Sequence, residues 1–273
     1  MNARSTKEER DAGPEPLDHE GRALDCSTCE VRAHTAGARC ALAHACVHDR
    51  YAPRIERFFR THPELADQYL THTYFESRAV AARYASVFRL APLLADPDET
   101  VRRSVAQRVP QRLLRKLIDD PHREVRIRVA QRLTPPGLVA LRRDPDYYVR
   151  VIVARRISPA FLMQMADDPE REVRLAVASR LAPSALGVFV DDPEVAVRRL
   201  VAQRALDALL STLAKDAAWE VRWEVAQRAS ARSGSRTPTT SSATARNAGT
   251  TATHRTVRMS FASNAMNATA SSG

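Results

Sequence analysis

The chain has 273 residues, 27% charged and 44% apolar, with a formal net charge of +10, which is the composition of a soluble globular protein. No stretch nears the roughly 18 consecutive apolar residues of a spanning helix, and the N-terminus lacks the apolar core of a signal peptide. The expectation is therefore a cytoplasmic protein with no membrane partner. Residues 231–273 carry five arginines and no acidic residue, while residues 72–230 hold 27 basic and 20 acidic residues. That is a mild bias along the chain, not the basic stripe of a dedicated nucleic-acid binder.

In chain order, residues 1–22 are acidic and irregular and read as a flexible N-terminal segment. Residues 23–71 read as a four-cysteine metal module with linking helices. All four cysteines, Cys26, Cys29, Cys40 and Cys46, fall in this one stretch, whereas a disulfide framework would spread them through a small secreted chain. Four thiolates suit either an iron–sulfur cluster, with Arg32, Arg39 and Arg50 offsetting its charge, or a structural zinc, and the spacing leaves both open. A Cys2His2 zinc site using Cys26, Cys29, His44 and His48 fits the loose spacing. It would abandon Cys40 and Cys46 and has no aromatic core between its halves. The aromatic and large apolar residues that follow, from Tyr51, Ile55, Phe58 and Phe59 through Tyr69, Tyr74, Phe75 and Tyr84 to Phe88, read as core that seals the module against what comes next.

Residues 72–230 are a repeat. Asp-Pro recurs at Asp96, Asp120, Asp144, Asp168 and Asp192, each step 24 residues, with an altered copy at Asp216-Ala217. Val-Arg recurs in phase at Val101, Val125, Val149, Val173, Val197 and Val221. A fixed period in this range marks stacked supersecondary units, none of which can bury its apolar face alone. Within a unit the Asp reads as a helix N-cap and the Pro as the first helical residue. The valines and alanines at i, i+4 and i+5 form one apolar face, and a later proline stops the helix. The remainder carries an i, i+3 apolar pair such as Leu114 and Leu117 or Leu186 and Phe189, which predicts a short 3-10 connector, with an ordinary second helix as the rival. Residues 72–95 form a degenerate copy, with Ser77 in place of Val and Tyr84 in place of the second Arg, as a capping unit requires. Residues 231–273 read as a disordered basic tail.

Two arginine ladders run through the repeat. Arg102 and its equivalents project toward the apolar side, too far from their own Asp, so the Asp of an adjacent repeat is the expected bidentate partner. The second ladder, Arg108, Arg132, Arg156, Arg180, Arg204 and Arg228, sits at the helix C-termini, where a cation complements the dipole. Those six are the candidate partner-binding residues.

The unit Asp-Pro-x3-Val-Arg-x2-Val-Ala-x-Arg, together with the N-terminal cysteine group, resembles the leucine-rich repeat variant family across residues 20–230. The resemblance implies an all-α superhelical solenoid of 24-residue repeats alternating α-helix and short 3-10 helix. It also implies a [4Fe-4S] cluster on Cys26, Cys29, Cys40 and Cys46, with zinc as the alternative. Neither a Ser-His-Asp set nor a phosphate-cradling glycine loop occurs. The expected function is non-enzymatic, without a small-molecule substrate: the solenoid binds a protein partner and the cluster caps the array or senses iron or redox state. Nucleic-acid binding through the arginine ladders with zinc at the cysteines, and electron transfer, are the alternatives.

Overall fold

The computed structural model describes residues 13–34 and 40–234. Residues 1–12 of the expected flexible segment, Arg39, and the expected tail from residue 235 onward lie outside the described residues.

The repeat region is a stack of short helices, each packed on the next: Phe75–Tyr84, Glu99–Ala106, Arg123–Arg132, Tyr147–Arg156, Arg171–Arg180, Val195–Arg204 and Trp219–Gly234. No strand occurs among the described residues, apart from the isolated bridges Leu17–Ala23 and Ala41–Ala45. The connectors Ala91–Ala95, Pro135–Arg143, Pro159–Met165 and Pro183–Phe189 are 3-10 helices, as the i, i+3 spacing predicts. Two repeats depart from this. One connector opens with an α turn, Gln111–Leu114, before a 3-10 turn, Arg115–Leu117, and another is wholly α-helical, Asp207–Leu213.

The core runs as a continuous column through the array. Val101, Val105, Val125, Val129, Val149, Val153, Val173, Val177, Val197 and Val201 are fully buried, and the connector residues Leu114, Leu138, Leu162 and Leu186 close over them. Each interior helix lies between two neighbours and buries residues toward both, as Val149, Val151, Ile152, Val153 and Ala154 show in Tyr147–Arg156, so the column exists only where units stack.

The helices start later than the sequence predicts. Asp98, not Asp96, is the N-cap of Glu99–Ala106, accepting from the Thr100 N–H at 2.8 Å. Asp96 instead closes a turn onto the Asp98 N–H at 2.9 Å and points its carboxylate at the preceding repeat. The reason is competition: a carboxylate that binds a buried guanidinium bidentately gains more than an exposed cap provides. Helix Trp219–Gly234 also runs past the boundary expected at residue 230.

Both departures of the first unit from the repeat pattern face the metal module. Ser77, in place of valine, is buried and donates to the Val47 carbonyl at 3.0 Å. Tyr84, in place of the second arginine, donates to Glu56 and stacks on Phe59, with ring centroids 6.3 Å apart. Ile55, Phe58, Phe59 and Leu70 of the linking helices Ala52–Thr61 and Pro63–Thr71 are buried beneath it. Phe88, expected in this core, is not part of it; it is 95% exposed, because its connector turns it away from the stack.

Candidate metal centre

The module is built from short loops held by polar side chains rather than by a large core. From Gly13 the chain is placed against it. Asp18 turns the backbone by accepting the Glu20 and Arg22 N–H groups at 2.9 and 2.8 Å, and the Arg50 N–H bonds to the Leu17 carbonyl at 2.8 Å. The backbone and side chain of Arg22 hold the Asp18 carboxyl down to about 2. Asp25 accepts the Ser27 N–H at 2.8 Å and so shapes the bend carrying Cys26, while Cys29 immediately precedes the helix Glu30–His34. The loop from Cys40 to Cys46 folds on itself through the His44 and Ala45 N–H groups, both bonded to the Ala41 carbonyl. That tight turn puts Ala43 at φ 61°, a left-handed conformation that costs an L-residue roughly 1–2 kcal/mol.

One buried ion pair ties these pieces together. Arg54 and Asp49 are 1% and 0% exposed, with Nη1 2.8 Å from the carboxylate. The other carboxylate oxygen accepts the Tyr51 N–H at 2.8 Å, and Arg54 Nη2 donates to the Pro14 carbonyl at 2.5 Å. The Cys46 N–H bonds to the backbone carbonyl of Arg54 at 3.3 Å. Arg54 therefore links the N-terminal segment, the loop of the last cysteine and the first linking helix. Nothing in the cysteine spacing pointed to this pair.

All four cysteines line one cavity of about 580 Å³, together with His48 and with Tyr69 and His72 from the array side. His44 does not line it; it is exposed, and its carbonyl accepts from Arg57 at 2.6 Å, which removes the geometry of a Cys2His2 site. Four thiols lining one cavity are a donor set that suits an iron–sulfur cluster.

The cavity is poor ground for bare thiolates. Burial pushes the Cys46 thiol up to about 12 and raises Cys40, with Cys29 and Cys26 adding to the rise and Arg32 opposing it. Burial likewise lowers His48 and His72, which favours neutral imidazoles, and raises the Tyr69 phenol to about 12. A cation in the cavity would favour ionising Cys40 and Cys46, and its binding would release their protons. The rings form a wall: His48 lies 6.1 Å from Tyr69 and 6.0 Å from His72, and His19 stacks on Tyr74 at 5.3 Å.

Along the array, the first ladder behaves as expected of it. Arg102 donates through Nε and Nη2 to Asp120 of the next repeat at 2.7 and 3.0 Å, and Nη1 donates to the Asp96 carbonyl at 2.7 Å. The pattern recurs in Arg126–Asp144, Arg150–Asp168, Arg174–Asp192 and Arg198–Asp216. It also includes Arg78–Asp96, in the degenerate copy where Ser77 stands in place of valine. The second ladder turns back instead of outward. Arg132 Nη1 donates to the Ala106 and Val109 carbonyls of the preceding repeat at 2.7 and 2.9 Å. Arg108, Arg156, Arg180, Arg204 and Arg228 meet equivalent carbonyls. These arginines cap the C-terminal turn of the helix one unit back, satisfying carbonyls that its own backbone leaves open.

The family description "LRV protein FeS4 cluster" matches residues 16–68, and "Leucine rich repeat variant" matches residues 147–170. A Rhodobacter capsulatus protein described as an uncharacterized 27.7 kDa protein in the nifB 3' region is 54% identical over 98 residues; the match spans 36% of this chain and 40% of that relative's length. A solved structure described as a leucine-rich repeat variant with a novel repetitive protein structural motif superposes with a TM-score of 0.71 at 43% identity. That superposition covers 75% of this chain and 88% of the other.

Proposed function

The chain belongs to the leucine-rich repeat variant family and carries its [4Fe-4S] module, and from that premise we propose that it is a non-enzymatic interaction protein whose solenoid binds a macromolecular partner while the cluster closes the front of the array. One observation carries this reading: the cysteine cavity is walled by Tyr69 and His72, from the segment that leads into the first repeat, and Ser77 of that repeat bonds to the loop just after Cys46. A cluster seated there stiffens the first unit, and stacking passes that stiffness on. The cluster, when bound, supplies a one-electron couple, so the stability of the front end follows iron supply and redox state. Reduced thiols of this kind suit the cytoplasm. Partner contact by Arg108, Arg132, Arg156, Arg180, Arg204 and Arg228 would use the N–H groups that their carbonyl caps leave over.

The test is anaerobic purification with analysis for iron and acid-labile sulfide, about four of each per chain, followed by thermal unfolding before and after chelation. Serine at any of Cys26, Cys29, Cys40 or Cys46 is expected to lose the visible chromophore. Removing the cluster is expected to lower Tm. A chain that sheds its cluster with Tm unchanged would defeat the capping role and favour an electron carrier.

A further inference from the structure

The far end of the array is unfinished in a specific way. Six arginines of the first ladder each place one edge of the guanidinium on the carboxylate of the next repeat. Arg222 is the seventh. Its Nη1 is held in the same manner, on the Asp216 and Ala217 carbonyls at 2.6 and 2.8 Å. Its Nε and Nη2 edge meets no carboxylate among the described residues, and the side chain is exposed. On the same face, Ala226 is exposed although Ala82, Ala106, Ala130, Ala154, Ala178 and Ala202 at the equivalent position are all fully buried. On the same helix Trp219 and Trp223 are 63% and 57% exposed, and at the position of Trp223 interior copies bury Ile127 and Val151.

In the interior copies this face is covered by a short connector, 3-10 in most and α-helical in Asp207–Leu213, that leads to an Asp, and then by a helix whose second-ladder arginine reaches back to the alanine carbonyl. Residues 231–273 contain no aspartate or glutamate, so that segment has no side-chain carboxylate to offer Arg222. An oriented, exposed guanidinium fork between two large aromatics is a carboxylate receptor backed by apolar surface.

We propose that the C-terminal face formed by Trp219, Arg222, Trp223 and Ala226 docks an acidic segment of another protein, one that presents an aspartate or glutamate ahead of a short apolar helical stretch and so completes the stack as a further repeat would. This rests on the partner-binding reading above and gives it a place and a chemistry. It does not depend on the cluster.

Trp219 and Trp223 are the only tryptophans in the chain, so intrinsic emission reports on this face directly. The probe is a synthetic peptide with the sequence of residues 182–205, a complete repeat containing Asp192, titrated into the full-length, cluster-loaded chain. The expected result is a saturable blue shift, weakened at least tenfold when the peptide carries Asp192→Asn or the protein carries Arg222→Gln. Three results would each overturn the proposal. No response up to about 1 mM peptide removes the end face and leaves the lateral surface as the partner site. Tryptophans already shielded from a soluble quencher in the free monomer assign the face to the chain's own tail. A blue shift that tracks protein concentration without peptide, with a dimer in sedimentation, assigns it to a second copy.

Discussion

Arg126 and Arg222 occupy the same place in their repeats and have opposite surroundings. Arg126 is 11% exposed and grips Asp144, whose side chain is 2% exposed; Arg222 stands at the open end. Arg126→Ala leaves a carboxylate buried without its cation, which costs about 3–5 kcal/mol. Arg222→Ala strands nothing and is expected to cost under about 1 kcal/mol. Urea unfolding of the two variants checks this, and equal losses would show that the buried pairs are no more than surface ion pairs. The direction of the first ladder was legible from sequence, because a charge on the apolar side of a helix needs a partner within reach. The role of the second was not. A last-turn arginine has the same sequence signature whether it faces solvent or caps the carbonyls of the neighbouring repeat.

At the scale of the element, each repeat spends its aspartate twice, on the turn before its own helix and on the arginine of the unit before it. Asp216 shows the electrostatic consequence: hydrogen bonding to Arg198 holds its carboxyl below the ordinary 3.8. A depressed carboxylate stabilises the fold above that ordinary value, and the contribution is lost as pH falls through the folded-state value. The last repeat is therefore expected to loosen below about pH 4. Asp216→Asn should be weakened at neutral pH and show a flatter acid limb, measured as the unfolding midpoint against pH. Parallel curves for the two proteins would mean that another carboxylate governs the acid transition. The placement of helix starts at Asp98 and its equivalents was hidden from sequence for the same reason: Asp-Pro is a good helix opening in isolation, and only the neighbouring repeat shows where its carboxylate goes.

At the largest scale the described residues form a one-dimensional stack whose two ends differ: the four-cysteine module packs on the first unit, while the rear exposes Trp219 and Trp223. Nearest-neighbour coupling makes a testable gradient. Stripping the cluster should raise amide exchange most in Phe75–Tyr84, less in Glu99–Ala106, and little by Val195–Arg204. Uniform acceleration would mean that the array unfolds as one cooperative unit, and no acceleration that the module folds apart from it. The sequence by itself determined the period, the all-α stack, the apolar column and the four candidate thiolates, because each of these is written as a local spacing repeated along the chain. Only the tertiary structure decided what the cysteines share a cavity with, that Arg54 and Asp49 stitch the module, that Phe88 faces solvent, and where the second ladder points. Those outcomes depend on which surfaces meet between segments distant in sequence or in neighbouring units, and a spacing along one chain carries no record of what lies across the contact.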